Sequence, residues 1–332
     1  MTEFINRRLY GILGISVFLF LVPFFSLQAM TVSPVRLELS GDPGTTVGGN
    51  LKIFNDEKEA KTLYTVFENF EASGETGSPS FKTGSEGLAS WITAPESVEV
   101  LPGESKTVDF AVNIPKSAEP GGYFSAIFLA TVPPSSNPNQ LSIGSRIGML
   151  LLFRVNGDIE EGGSLLEFAT KDKIKWHNAL PINFYYRFQN SGADRVFPKS
   201  SLTITNSIGR TSEVLDANTG QGNVLPESIR RYEVWWRSKN DDPESLPKVV
   251  PTDLSFINTI KYQWSNFALG RYKANLHIDY GSNNQSVTKS FSFYVFPWQL
   301  LLVEFLILVF GLILIRLILQ RYNSWIIKRA RS

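Results

Sequence analysis

Apolar and polar residues alternate with period two over much of this chain. Val108, Phe110, Val112 and Ile114 interleave with Thr107, Asp109, Ala111 and Asn113. Tyr272, Ala274, Leu276, Ile278 and Tyr280 do the same against Arg271, Lys273, Asn275, His277 and Asp279, and Phe291, Phe293 and Val295 against Ser290, Ser292 and Tyr294. Such alternation predicts strands with one buried and one wet face, as in antiparallel sandwich sheets. Turn sequences separate them: Asp42-Pro43-Gly44, Pro102-Gly103, Pro120-Gly121-Gly122, Asn156-Gly157-Asp158, Ser191-Gly192 and Gly281-Ser282-Asn283. The spacing fits a strand-turn-strand series of immunoglobulin type.

Two segments break the pattern by being apolar throughout. Gly11 to Phe25 follows Arg7 and Arg8 and leads to Ser26-Leu27-Gln28-Ala29, the layout of a secretory signal peptide over residues 1–29 with a cut after Ala29. An uncleaved anchor would leave the middle of the chain on the same outer side. Phe296 to Ile315 carries one charge, Glu304, and as a helix would cross about 30 Å of hydrocarbon. Pro297 and Trp298 open this segment, and Arg316, Arg321, Lys328, Arg329 and Arg331 follow it. The positive-inside rule puts that tail in the cytoplasm. The expected arrangement is a single-pass type I protein of the cell membrane: transmembrane helix 296–319, basic tail 320–332, and the rest extracellular.

A weak repeat divides the exposed region. Phe54-Asn55 ends an early strand in the first half, and Phe188-Gln189-Asn190 does so in the second. Val100-Leu101-Pro102 is echoed by Val224-Leu225-Pro226, each ahead of an alternating strand. The expected fold is therefore all-β: two tandem immunoglobulin-like β-sandwiches, residues 30–160 and 164–295, followed by one transmembrane helix. Glu160-Glu161-Gly162-Gly163 forms a hinge too short to let the domains swing far apart. A polar insertion, 238–264, interrupts the second domain. The last strand runs into the membrane segment with no stalk, so the second domain sits directly on the bilayer and the first faces outward.

Composition narrows the chemistry. The chain has no cysteine, which excludes thiol chemistry and cysteine metal sites and leaves stability to the cores. Removing seven basic and two acidic residues of the two membrane elements from totals of 32 and 31 leaves 25 and 29, a net −4. That argues against nucleic acid or anionic lipid as the main partner. His177 and His277 lie 100 positions apart, without metal-ligand spacing, and are expected at the surface. Asp241-Asp242-Pro243-Glu244 lacks the alternate spacing of a calcium loop and reads as a solvated loop. No nucleophile elbow or phosphate loop is present, so neither a cofactor nor catalysis is expected.

Two residues stand out as contact candidates. Trp235 and Trp236 are adjacent on a strand and so face opposite ways. With Tyr232 and Val234 on its side, Trp236 belongs to the core. Trp235 sits on the outer face beside Glu233 and Arg237, either as an anchor for a protein or sugar ring or beneath the insertion with Tyr262, Trp264 and Phe267. Trp91 is expected to fill the first core. Glu304 lies about 9 Å past Trp298 along the helix, where a charge is tolerated near the outer leaflet or meets a partner helix.

Thr31-Val32-Ser33-Pro34-Val35-Arg36-Leu37-Glu38-Leu39, then Asp42-Pro43-Gly44, then Leu51-Lys52-Ile53-Phe54-Asn55 resembles the opening of the pilus-chaperone-like superfamily. Val98 to Ser105, and Ile114-Pro115 through Gly122-Tyr123, continue the likeness. The whole layout is most similar to the DUF916 type of Gram-positive surface proteins, the WxL-interacting proteins. That resemblance implies binding roles: a first domain associated with peptidoglycan and a second with protein ligands or host surfaces. The leading expectation is a membrane-anchored surface binding or scaffold protein whose outer domain contacts cell-wall polymer or other surface proteins, through strand edges and loops. A membrane-tethered assembly factor or chaperone for exported proteins is the alternative, and a wall-active hydrolase a third reading.

Overall fold

The computed structural model of the chain describes residues 29–82, 86–133, 144–238 and 254–330. Residues 1–28 of the expected leader and the acidic cluster Asp241–Glu244 lie outside the described residues.

The alternating segments form strands, and their apolar sides meet in two separate cores. In the first half, β1 (Met30–Ser33), β3 (Thr46–Asn55), β8 (Ser105–Asn113) and β6 (Ile92–Thr93) make one sheet in the order β1-β3-β8-β6. The facing sheet runs β2 (Arg36–Gly41), β10 (Arg146–Val155), β9 (Gly121–Ala130), β4 (Lys61–Ser73) and β5 (Ser78–Lys82), with β7 (Ser97–Val100) also on β4. The chain changes sheet at Ser33-Pro34, where proline supplies no N–H to continue a ladder. Val108, Phe110, Val112 and Ile114 are buried as their alternation requires, against Leu151 and Phe153 of β10. A fully buried side chain of this size contributes about 1.5–3 kcal/mol. Trp91 packs at the margin of this core, 4.6 Å from the Tyr123 ring, and is half-buried.

The second half repeats the architecture. One sheet is β11 (Gly163–Thr170), β13 (Ile182–Asn190) and β16 (Ser228–Trp236). The other runs β12 (Trp176–His177), β18 (Gln285–Val295), β17 (Gly270–Tyr280), β14 (Lys199–Asn206) and β15 (Thr211–Asp216). The fold is thus two immunoglobulin-like sandwiches in tandem, followed by a helix, Trp298–Ala330, that is long and apolar enough to cross a membrane. This helix continues through most of the segment expected as a tail.

One device accounts for the repeat. Asn55 is fully buried and donates to the carbonyls of Glu59 and Val100 at 2.9 and 3.0 Å, while its own oxygen accepts the Glu57 amide. Asn190, also fully buried, donates to Asp194 O and Val224 O at 2.7 and 2.9 Å and accepts from Gly192 N. In each sandwich an asparagine at a strand end ties the Val-Leu-Pro segment to the turn that follows it. A side-chain amide carries both donors and an acceptor, and each such buried group needs its partner.

One expectation needs correcting. His177 is not a surface histidine: its side chain is 9% exposed, with the ring edge-on to Phe293 in the core. Burial pushes its imidazole below the ordinary value against the pull of Asp172, 3.7 Å away. The short strand it belongs to pairs with Tyr294 and Val295, which the turn-like sequence around Asn178 hid. At the end of the polar insertion, Phe256–Ser265 forms an α-helix among the strands. At ten residues this helix is too short to show a period over three turns.

Candidate binding cleft between the sandwiches

A line of contacts joins the two sandwiches around Glu38 and Glu75. Glu38 stands on the polar side of β2, where Leu37 and Leu39 point inward. Its carboxylate takes two hydrogen bonds from Arg195, at 2.9 and 3.2 Å, and one from Asn223 at 3.0 Å. Burial raises the Glu38 carboxyl, but the Arg195 guanidinium outweighs it, and the group lies below its ordinary value. Glu75 receives a forked pair from Arg187, which also holds its carboxyl low, and its backbone carbonyl accepts the Arg231 amide at 2.8 Å. Gly122 donates to Ala193 O at 2.9 Å. A Cβ on Gly122 would come within 2.5 Å of the Asp194 carboxylate, so this contact needs glycine. Asp194 is nearly buried beside Arg154 and Arg195, and desolvation raises its carboxyl. The hinge is pinned as well: Ser282 N donates to Glu161 Oε2, and Ala193 N to Glu160 O. These bonds hold the sandwiches in one relative pose.

Next to this cleft, beyond Leu150, β10 has an uncovered edge. Along its whole length one side pairs with β9. On the other side β2 covers only Leu150–Val155. Leu150 donates to Val35 O and Asn156 to Gly41 O, so the even-numbered residues turn their backbone groups toward β2. Arg146 and Gly148 therefore present their N–H and C=O groups along an edge with which no strand among the described residues pairs, although β1 lies near β10. Unpaired groups of this kind are a template for an added strand.

The side chains around that edge are apolar. Ile147 and Met149 point into the first core. Leu150 and Leu152 face outward and, with Phe70 and Arg36, wall a cavity of about 210 Å³ closed by Val224, Leu225 and Arg230. The same sheet face carries Phe81 and Phe128 at 4.9 Å, with the Arg146 guanidinium 4.2 Å over Phe128 and 2.7 Å from Glu68. Gly148 lies against Phe128, where a Cβ would come within 2.6 Å of the ring and of Ile127 O. Where the uncovered edge meets β2, Pro34, Val35, Arg36 and Leu150 open onto a space of about 590 Å³ shared with Thr219–Gln221. Arg36 spans it by donating to Gln221 O at 3.0 Å.

The residues singled out from the sequence lie elsewhere. Trp236 is in the second core, as its neighbours required. Trp235 is half-buried and lines a cavity of about 640 Å³ with Thr259 and Tyr262 of the short helix. Glu304 is exposed on the long helix, so the two do not form one site. The cleft residues Arg36, Glu38, Glu75, Arg187, Arg195 and Asn223 were not singled out, because an outward charged residue reads the same whether it faces water or another domain. The uncovered edge left no signal either, since it depends on where β2 stops pairing.

No family model matches the chain, and no curated protein matches it. Solved structures do. The class 5 fimbriae chaperone CfaA shares 13% identity over 79% of this chain and 98% of its own, with a TM-score of 0.39. The E. coli chaperone DraB shares 12% over 81% and 97%, with a TM-score of 0.31. The Pseudomonas aeruginosa chaperone CupB2 shares 11% over 80% and 100%, with a TM-score of 0.33. The superposition is too loose for a residue or a role to be carried across, and the DUF916-type likeness has no matching family model.

Proposed function

We propose that this protein is a membrane-anchored assembly factor that holds an extended segment of another exported protein along the uncovered edge of β10. The uncovered edge at Arg146 and Gly148 is the observation that carries the reading. Four backbone groups face one way beside an apolar sheet face, next to a cleft whose pose is set by ion pairs. A peptide strand added there would satisfy those groups, while its alternate side chains reach Phe81, Phe128 and Leu150. Backbone pairing favours a polypeptide over a wall polymer such as peptidoglycan, which offers no regular ladder. The long helix would keep the cleft at the membrane, near chains leaving the export channel, and its basic end would lie in the cytoplasm.

A photo-crosslinking amino acid at Val35, at the mouth of the cleft, tests this in the full chain expressed in its own membranes. Adducts to exported polypeptides should form from Val35 and not from Ser282, at the far turn. Equal adducts from both positions, or none from Val35, would sink the reading.

A further inference from the structure

The second sandwich has two unlike ends. In the β17–β18 hairpin, Gly270 lies opposite Val295 at one end and Tyr280 opposite Gln285 at the other. The long helix leaves from Val295, so the first of these is the anchor end. The opposite end carries the hinge contacts and the first sandwich.

Exposed large apolar side chains gather at the anchor end. Asn206 pairs with Tyr272, which places the following turn there, with Ile208 at its tip and 72% exposed. Trp176 pairs with Tyr294 and stacks on it at 4.4 Å, leaving its other face open, 61% exposed. Phe296 and Trp298, at the start of the long helix, are also exposed. The short helix Phe256–Ser265 completes the group. Thr259, Tyr262 and Gln263 look toward the sandwich, with Tyr262 donating to Leu180 O at 3.0 Å. Ile257, Ile260 and Trp264 fall on the other side at helical spacing, with Lys261 beside them; Ile257 and Trp264 are 66% and 68% exposed. Ile174, Phe256, Phe267 and Leu269 are exposed as well, and Leu166, Phe197 and Val214 complete the exposed large apolar residues described on this sandwich.

The short helix is also fastened to the long one. Gln263, 1% exposed, donates to Gln299 Oε1 at 2.5 Å and accepts the Leu300 amide at 2.9 Å. Leu300 lies in the first turn, whose amides have no partner within the helix, so Gln263 acts as a cap supplied from outside. The long helix therefore leaves the sandwich in a fixed direction.

We infer that the anchor end of the second sandwich is a bilayer-docking surface, with the helix Phe256–Ser265 lying in the outer headgroup zone. This rests on the reading that the long helix spans the membrane. Continuity with that helix selects lipid as the occupant: the aromatic group lies at the end of the sandwich where the chain enters the apolar span. Trp and Phe suit the boundary between headgroups and acyl chains, and Lys261 borders the apolar face at phosphate level. Three separate segments reach the same zone, so the cleft above is held at a set height and tilt.

The absence of cysteine makes the test direct. Trp264→Cys, Ile208→Cys, Ile307→Cys and Ser282→Cys full-length chains are labelled with one fluorophore and placed in phosphatidylcholine–phosphatidylglycerol vesicles containing brominated acyl chains. Emission at 264 and at 208 should fall about twofold or more relative to unbrominated vesicles, with 307 quenched further and 282 unchanged. Two segments are probed so that a fault in one variant does not decide the outcome. If 307 is quenched while 264 and 208 behave like 282, the anchor holds and the docking surface is refuted. If 307 is also unquenched, the spanning reading fails and the inference with it. Label-to-label excimers at 264 without bromine quenching would mean that a second copy covers the surface, which also overturns the proposal.

Discussion

Replacing Glu38 by alanine removes the carboxylate at the centre of the contact between the sandwiches. Arg195 loses two hydrogen bonds to one oxygen, and Asn223 loses one. A charge-assisted bond contributes about 1.5–3 kcal/mol when enclosed. The Glu38 side chain is 41% exposed, and solvent screening brings such a pair down toward about 1 kcal/mol. Adding about 1 kcal/mol for the Asn223 bond gives a loss near 2 kcal/mol. That is about a 30-fold shift toward the open pose, at 1.4 kcal/mol per factor of ten. Amide hydrogen exchange reads this directly, because the Gly122 and Arg231 amides donate across the interface. In the Glu38→Ala chain these two should exchange roughly 30-fold faster, with the β9–β10 and β13–β16 ladders unchanged. Unchanged rates at Gly122 and Arg231 would refute the clamp. Equal acceleration in the ladders would show that Glu38 supports a sandwich rather than the contact between them.

Other consequences can be checked independently. Asn190→Ala leaves Asp194 O, Val224 O and Gly192 N without their buried partner and should cost about 3 kcal/mol in denaturant unfolding, whereas Ser282→Ala should be near neutral. Asn190→Asp should also destabilise, since a carboxylate cannot donate to the two carbonyls. Hydrogen bonding to Arg187 holds the Glu75 carboxyl low, so its contribution to closure is full above the ordinary carboxylate value and is lost as pH falls through the lower closed-state value. Distances between labels on Lys58→Cys and Ser282→Cys should lengthen across that acid range, and Glu75→Gln should shrink the step. Asp194 acts in the opposite sense, because burial raises its carboxyl and favours the protonated form in the closed pose.

Much of the fold was legible because it rests on local periodicity. The alternation from Thr107 to Ile114 and from Arg271 to Tyr280 placed buried and wet faces correctly, since a strand's side chains can only alternate. The faint echo of Asn55 and Val100 in Asn190 and Val224 proved to be a shared hydrogen-bond device, which explains why those few residues repeat when the rest do not. Long-range partners were not legible. His177 is buried because a two-residue strand joins β18 across more than a hundred positions. Glu38, Glu75 and Arg195 read as ordinary wet residues, for nothing local distinguishes a domain contact from solvent. Trp235 and Glu304 were conspicuous by type, yet the uncovered edge consists of backbone groups, which no side chain advertises.

The uncovered edge of β10 is tested most directly at Arg146. Its N–H faces the open side, so proline there removes one donor and obstructs the edge without touching the β9 ladder. Arg146→Ala removes the Glu68 pair and the Phe128 contact while keeping that N–H. Peptides selected from a random displayed library on the full chain in nanodiscs supply the ligand. Their affinity should fall less than about threefold in Arg146→Ala and about tenfold or more in Arg146→Pro. Equal losses in the two variants, or no loss in either, would contradict strand addition at this edge.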